Sequence, residues 1–194
     1  MSTRLASPAD LERLRERIIA KRDPSKPIVT VCSGTGCQAY GSKKVIQAFI
    51  DEIQRQGLQA KVVAKATGCH GFCEQGVVVI IFPEEICYLR VTPEDVPEIV
   101  SSTLVQQKIV DRLLYEDPVT GQKIAKESEI PFYKHQYRLI FGNNRFIDPK
   151  SIEDYIARGG YSALAKALFE ICLLYTSDAA DEGLGVDLGG RRII

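Results

Sequence analysis

Helical and strand-like spacings of apolar residues alternate along this chain. Leu11, Leu14 and Ile18 recur at helical spacing among Arg and Glu. Just ahead of them, Ser7-Pro8-Ala9-Asp10 offers an N-cap, a first-turn proline and an acid near the positive helix end. Asp23-Pro24-Ser25-Lys26-Pro27 closes this lead-in, an amphipathic helix that either docks on another surface or stays solvated. Residues 28–31, Ile-Val-Thr-Val, predict a short buried strand that delivers Cys32 at its end. Val45, Ile46, Phe49, Ile50 and Ile53 share one face of a helix predicted over 42–56, with Gly57 placed to stop it. Residues 61–66 predict a second strand. Residues 77–82, Val-Val-Val-Ile-Ile-Phe, are the most strand-like run of all, and 86–91 are their hairpin partner across Pro83-Glu84-Glu85. Thr92-Pro93-Glu94-Asp95 repeats the capping logic ahead of an apolar stripe of Val96, Ile99 and Val100.

The order strand, helix, strand, strand, strand, helix predicts an α/β fold: a small mixed sheet with flanking helices, as in thioredoxin-like proteins. Beyond Val105 the pattern weakens. Residues 106–133 are expected to be a connector, with a turn at Asp117-Pro118-Val119-Thr120-Gly121. Residues 137–141, Tyr-Arg-Leu-Ile-Phe, predict another strand, turned by Gly142-Asn143-Asn144. A helix carrying Ile152, Tyr155 and Ile156 follows, broken by Gly159-Gly160 before another begins. One strand and two helices cannot bury a core of their own, so 134–171 are expected to open a second α/β domain left incomplete. The expected plan is therefore a lead-in helix over 1–26, a thioredoxin-like domain over 27–105, the connector, and this partial domain. Residues 172–194 are Gly-rich and aperiodic, and resemble the translation of a sequencing-library adapter. They are expected to be non-native, leaving Cys172 without an evolved role.

Charge excludes some functions. Lys and Arg number 25, Asp and Glu number 25, and the net charge is zero, so there is no basic footprint for nucleic acid. The first ten residues lack the apolar segment of a signal peptide, and the run 77–82 is far too short to span a bilayer. The expected location is cytoplasmic, with peripheral membrane attachment only through partner subunits. In that compartment paired cysteines point to metal or redox chemistry before disulfides.

Two such pairs occur. Cys32-Ser-Gly-Thr-Gly-Cys37 ends the first predicted strand, and Gly68-Cys69-His70-Gly71-Phe72-Cys73 follows the second, with thirty-one residues between Cys37 and Cys69. Four thiolates in tetrahedral sets suit the ferric irons of a [2Fe-2S] centre, so Cys32, Cys37, Cys69 and Cys73 are its candidate ligands. Such a centre is dianionic when oxidised and gains one more negative charge on reduction. Gly34, Gly36, Gly68, Gly71 and Gly76 would let backbone N–H groups approach the sulfurs, and the N-terminus of the 42–56 helix would add its positive end. Zinc is the competing metal, although its structural sites pair cysteines on compact knuckles without a helix and strand between them. A thioredoxin-type dithiol would need the absent Cys-x-x-Cys. His70 is expected in the second sphere or at the surface, because a Rieske centre needs two histidines and His135 lies in another segment. Cys87 reads as a small buried hydrophobe. Gly159-Gly160 is a weak phosphate-loop candidate, and Gly183-Leu184-Gly185 lacks the strand–turn–helix setting of a nucleotide fingerprint.

The Cys-x4-Cys and Cys-x3-Cys pairs at this separation resemble the thioredoxin-like [2Fe-2S] ferredoxin family, which includes the small iron–sulfur subunit of respiratory complex I. Downstream, Ile130-Pro-Phe-Tyr-Lys-His-Gln136, Asp148-Pro149 and Tyr155-Ile-Ala-Arg-Gly-Gly-Tyr-Ser-Ala-Leu-Ala-Lys-Ala-Leu168 are similar to the start of the NADH-binding flavoprotein subunit of complex I. The form with a fused ferredoxin domain resembles the flavoprotein subunit of NAD(P)-linked bifurcating [FeFe]-hydrogenases and related formate dehydrogenases. This resemblance, over about residues 27–171, implies a parent oxidoreductase in which NADH exchanges a hydride with FMN and electrons then pass singly through iron–sulfur centres. It implies FMN, NAD(H) and a [4Fe-4S] cluster in the parent, and partners that are a small iron–sulfur subunit and an iron–sulfur-rich catalytic subunit. The family's Gly-rich flavin loop and [4Fe-4S] cysteines are absent from these residues. No catalytic, flavin-binding or nicotinamide-binding residue is therefore assigned, and the fragment is expected to carry the cluster alone. The competing functions are a free-standing ferredoxin shuttle and a zinc-stabilised interaction module.

Overall fold

The computed structural model describes residues 4–171. Cys172, Gly183-Leu184-Gly185 and the remainder of the expected adapter tail lie outside the described residues. In chain order the elements are α1 (Pro8–Ala20), β1 (Ile28–Cys32), α2 (Thr35–Ala39), α3 (Ser42–Arg55), β2 (Val63–Thr67), β3 (Val79–Phe82), β4 (Ile86–Tyr88) and α4 (Val96–Ile99). They continue with β5 (Tyr115–Glu116), β6 (Lys123–Ile124), α5 (Pro131–Lys134), α6 (Ile152–Ala157) and α7 (Ser162–Phe169). The described residues form two compact units, one of Asp23–Asp154 and one joining residues 4–22 with residues 155–171.

The larger unit is built on a four-stranded sheet in the order β2-β1-β3-β4. Strand β1 runs parallel to β2 and antiparallel to β3, and β3 pairs antiparallel with β4. This is the thioredoxin-like mixed sheet with flanking helices that the sequence predicts. Side chains alternate across it with a period of two. Val29 and Val31 of β1, with Val79 and Ile81 of β3, join Val45, Phe49, Ile53, Val96, Ile99 and Val100 in one core. Cys32 and Ile80 point the other way, into a second core with Val78, Cys87 and Leu89. Burial on both faces explains why 77–82 is continuously apolar instead of alternating. Gly57, at φ +67°, closes α3 where the sequence placed a stop. Thr92 and Asp95 form the expected capping box before α4, which continues as π-helical turns over Val100–Val105.

Residues 106–133, expected to be a connector, are built into this unit. Leu89 N–H donates to Leu113 O at 2.8 Å, Cys87 N–H to Ala125 O at 2.8 Å, and Glu127 N–H to Glu85 O at 3.0 Å. The segment thereby occupies the outer edge of β4, and Ile130 and Tyr133 cover the second core. The strand expected over 137–141 does not form, and those residues turn instead. The outer edge of β4 is already paired, and Arg138 is held by Glu127 at 2.9 Å. Tyr137, Leu139 and Ile140 stay exposed.

In the smaller unit the Ser7 side chain accepts the Asp10 N–H at 3.2 Å, capping α1 as its sequence suggests. Leu11, Leu14 and Ile18 meet Ile156, Ala157 and Ala165, so the lead-in helix is docked and not merely solvated. Arg15 Nε donates to Ile156 O at 3.1 Å.

One buried hydroxyl ties the sheet to the segment beyond α4. Tyr88 Oη lies 2.6 Å from Thr103 Oγ1 and accepts the Val110 N–H at 3.0 Å. Tyr88→Phe leaves that buried N–H without its acceptor. It is expected to lower the unfolding free energy by about 1–3 kcal/mol. In urea titrations of both variants, Tyr40→Phe, at an exposed position, stays within about 0.5 kcal/mol of the parent.

Candidate metal centre

Parallel pairing brings the two cysteine loops to the same end of the sheet. In the β1–β2 register Cys32 stands opposite Thr67, two residues before Cys69. Ser33 N–H donates to Thr67 O at 2.9 Å, and Thr67 Oγ1 donates to Val31 O at 3.3 Å. The chain beyond Cys32 winds into α2, a helix without a sequence signal, which carries Cys37. The chain beyond Thr67 makes the Gly68–Gly71 loop and then the 3-10 turn Cys73–Gln75.

The sulfurs are arranged as two pairs. Cys32 and Cys37 hydrogen-bond one another, and so do Cys69 and Cys73. The thiols of Cys73 and Cys69 also act electrostatically on Cys37, so the pairs lie within each other's field. The hydrogen bond from Cys32 draws the Cys37 thiol down to about 7, and the same bond, followed by burial, pushes Cys32 up. Within this pair Cys37 is the sulfur that ionises first. Backbone donors reach all four sulfurs: Gly34 and His70 N–H point at Cys32, Val78 N–H at Cys37, Gly71 N–H at Cys69 at 3.3 Å, and the N–H of Cys73 at its own sulfur. Gly34 and Gly71 are among the glycines expected to do this, whereas His70 and Val78 could not be foreseen from composition.

Close approach is the reason for glycine at two of these positions. A Cβ on Gly34 would lie 2.9 Å from Cys69 Cβ and 3.1 Å from its sulfur. One on Gly76 would lie 3.0 Å from Cys37 Sγ. The loops interlock with no room for a methyl group. Cys32 and Cys37 are buried, Cys69 is half-buried and Cys73 is exposed. Among the described residues no three Cys, His, Asp or Glu side chains converge as a site for one ion. Two facing thiol pairs, with backbone N–H groups aimed at their sulfurs, are a donor set that fits a two-iron centre.

The other sequence candidates fall elsewhere. His70 is buried rather than at the surface, and its Nε2 lies 2.9 Å from Thr67 Oγ1. Burial first, then the positive charges of Arg138 and Arg145, hold its pKa at about 3, so the ring is neutral. His135 caps the C-terminus of α5. Cys87 sits within β4, where burial pushes its thiol up, as suits a small hydrophobe. At the Gly159-Gly160 pair, Gly160 is crowded by the Tyr155 ring and backbone carbonyl. An aromatic wall was not foreseen: Phe72 stacks on Phe132 at 4.2 Å and meets Tyr133 edge-on at 5.7 Å. Its signal was the apolar Ile-Pro-Phe-Tyr run at 130–133, masked by the charged residues before it.

Residues 18–104 match the family described as thioredoxin-like [2Fe-2S] ferredoxin. The 2Fe-2S ferredoxin of Clostridium pasteurianum is 36% identical over 77 residues, covering 40% of this chain and 76% of that protein. That of Aquifex aeolicus is 40% identical over 79 residues, covering 40% of this chain and 71% of its own. The chain belongs to the thioredoxin-like [2Fe-2S] ferredoxin family. Among solved structures, the thioredoxin-like [2Fe-2S] ferredoxin from Aquifex aeolicus is 34% identical, with 48% of this chain and 99% of that one covered at a TM-score of 0.44. Membership brings with it electron transfer through a [2Fe-2S] cluster. No helix among the described residues is long and apolar enough to cross a membrane.

Gly34→Ala is expected to force the ferredoxin's two cysteine loops apart. After anaerobic reconstitution with iron and sulfide, its iron content falls to less than half that of the parent. Gly57→Ala, with nothing within 4 Å of the added methyl, costs about 1 kcal/mol in stability through its positive φ and leaves iron content unchanged.

Proposed function

We propose that Cys32, Cys37, Cys69 and Cys73 hold the [2Fe-2S] cluster. We propose further that this ferredoxin unit is the N-terminal electron-transfer part of an NADH-oxidising flavoprotein subunit in a multi-subunit oxidoreductase. The observation that carries the first statement is the pairing of four thiols at one sheet end with N–H groups directed at their sulfurs. When bound, the cluster supplies a site that takes up and releases one electron at a time. The chain's residues do the remaining work. Gly34, His70, Val78 and Gly71 direct N–H dipoles at sulfurs whose negative charge grows on reduction. Ile130, Tyr133 and Phe72 exclude water from the Cys32–Cys37 side.

The flavoprotein context is supported by residues 130–136, 148–149 and 155–168, whose sequence is similar to the start of the NADH-binding subunit. The parent would then use FMN, NAD(H) and a [4Fe-4S] cluster, act with other iron–sulfur subunits, and work in the cytoplasm. A free-standing ferredoxin shuttle is the second reading, favoured by relatives that are themselves described as ferredoxins. A zinc module is disfavoured by the two-pair arrangement, since one zinc would gather all four thiolates at a single point.

Anaerobic reconstitution followed by dithionite reduction is expected to give the EPR signal of a reduced [2Fe-2S] centre. Cys32→Ser or Cys69→Ser should alter or abolish it, while Cys87→Ser and Cys172→Ser leave it in place. A signal unchanged by Cys32→Ser would remove these ligands from consideration. For the flavoprotein context, the deciding observation is the genomic reading frame past Phe169. Glycines of a flavin loop and a further cysteine cluster are expected there, and their absence would leave the shuttle.

A further inference from the structure

Beside the second cysteine loop lies a buried charge cluster outside the span matched by the family. Glu127 is fully buried, and its carboxylate is shared by Arg138, at 2.9 Å, and Arg145. Only 17% and 19% of the two arginine side chains are exposed. Arg138 lies 4.6 Å over the ring of Tyr133, which shares a core with Cys32 and Cys37. Next to Arg145, Asn144 O accepts the N–H of Gly68 at 3.0 Å, immediately before Cys69. A Cβ on Gly68 would lie 3.0 Å from Asn144 Cβ, so this segment rests directly on the loop. Arg145 also has Glu85 at 3.6 Å, on a half-exposed turn.

A carboxylate taken fully out of water costs several kcal/mol unless paired, and one guanidinium would be enough to neutralise Glu127. The second leaves surplus positive charge, which the looser and more solvated Glu85 offsets only in part. We infer that Arg138 and Arg145, clamped by Glu127, hold positive charge against the Cys69–Cys73 loop and thereby favour the reduced state of the iron–sulfur centre. This rests on the four-cysteine reading above. Reduction adds one negative charge to a centre that is already dianionic, so fixed cations beside it stabilise the reduced form more than the oxidised one. Their burial keeps this effect from being screened by salt as a surface charge would be. Tyr133, beneath Arg138, in turn meets Phe72 of the Cys69–Cys73 loop edge-on at 5.7 Å.

The test is an EPR-monitored redox titration of the reconstituted full chain, with dithionite as electron donor. Arg138→Gln and Arg145→Gln should each lower the equilibrium constant for reduction about tenfold, about 59 mV for a one-electron couple. Glu127→Gln and Glu85→Gln should shift it the opposite way, and Arg138→Lys should recover most of the parent potential. Glu85→Gln, at a half-exposed position, preserves the sign test if a buried substitution prevents folding. Unmoved potentials in the arginine variants would overturn the inference. So would shifts of one sign in the Arg and Glu variants alike, which report a loosened loop. Absence of the EPR signal from the unsubstituted protein would instead remove the cluster reading itself.

Discussion

The parallel ladder between β1 and β2 is the constraint on which the rest depends. It sets Cys32 against Thr67, so that two loops separated by a helix and a strand leave the sheet side by side. A slip of one residue would turn Cys32 to the opposite face, into the core of Phe49 and Ile99. Thr67 resists that slip twice, by its side chain to Val31 O and by its carbonyl to Ser33 N–H. Interlocked glycines, N–H donors and aromatic wall all act on a junction that this register has already created.

The ferredoxin unit of this chain is larger than the span its family shares. Residues beyond 104 complete the edge of β4, roof the second core with Ile130 and Tyr133, and lay Asn144 on Gly68. Stacked and edge-on aromatic pairs add about 0.5–1.5 kcal/mol each beyond the area they bury, so Phe72, Phe132 and Tyr133 fasten the second loop to this extension. Lys65 reaches back in the same sense, bonding Phe146 O and Asp154 at 2.7 Å each. The loop is therefore held from the sheet side by Thr67 and from the outside by the later chain.

Most of the sheet was legible because its apolar residues obey one period at a time. Val29, Val31, Val79 and Ile81 mark one face, and Val45, Phe49 and Ile53 mark the helix that covers it. The four cysteines were legible from their spacing. What stayed hidden depends on tertiary partners. Helix α2 is only five residues long and contains no apolar stripe. The run Tyr137–Phe141 has strand composition, yet the outer edge of β4 is taken by residues 113–126 and Arg138 is drawn to Glu127 instead. Glu127 looked like one more charge in a polar stretch. Its burial follows from Arg138 and Arg145, eleven and eighteen residues further on, a coincidence that no local pattern signals.

Exposure is graded across the four sulfurs, from Cys32 and Cys37 inside the protein to Cys73 at the surface. With the cluster held as proposed, this gradient would leave one rim of the centre open to solvent. Electron tunnelling weakens steeply with separation, so a redox partner gains most by approaching the rim at Cys69 and Cys73. Oxygen or a chelator would meet that rim before the inner sulfurs.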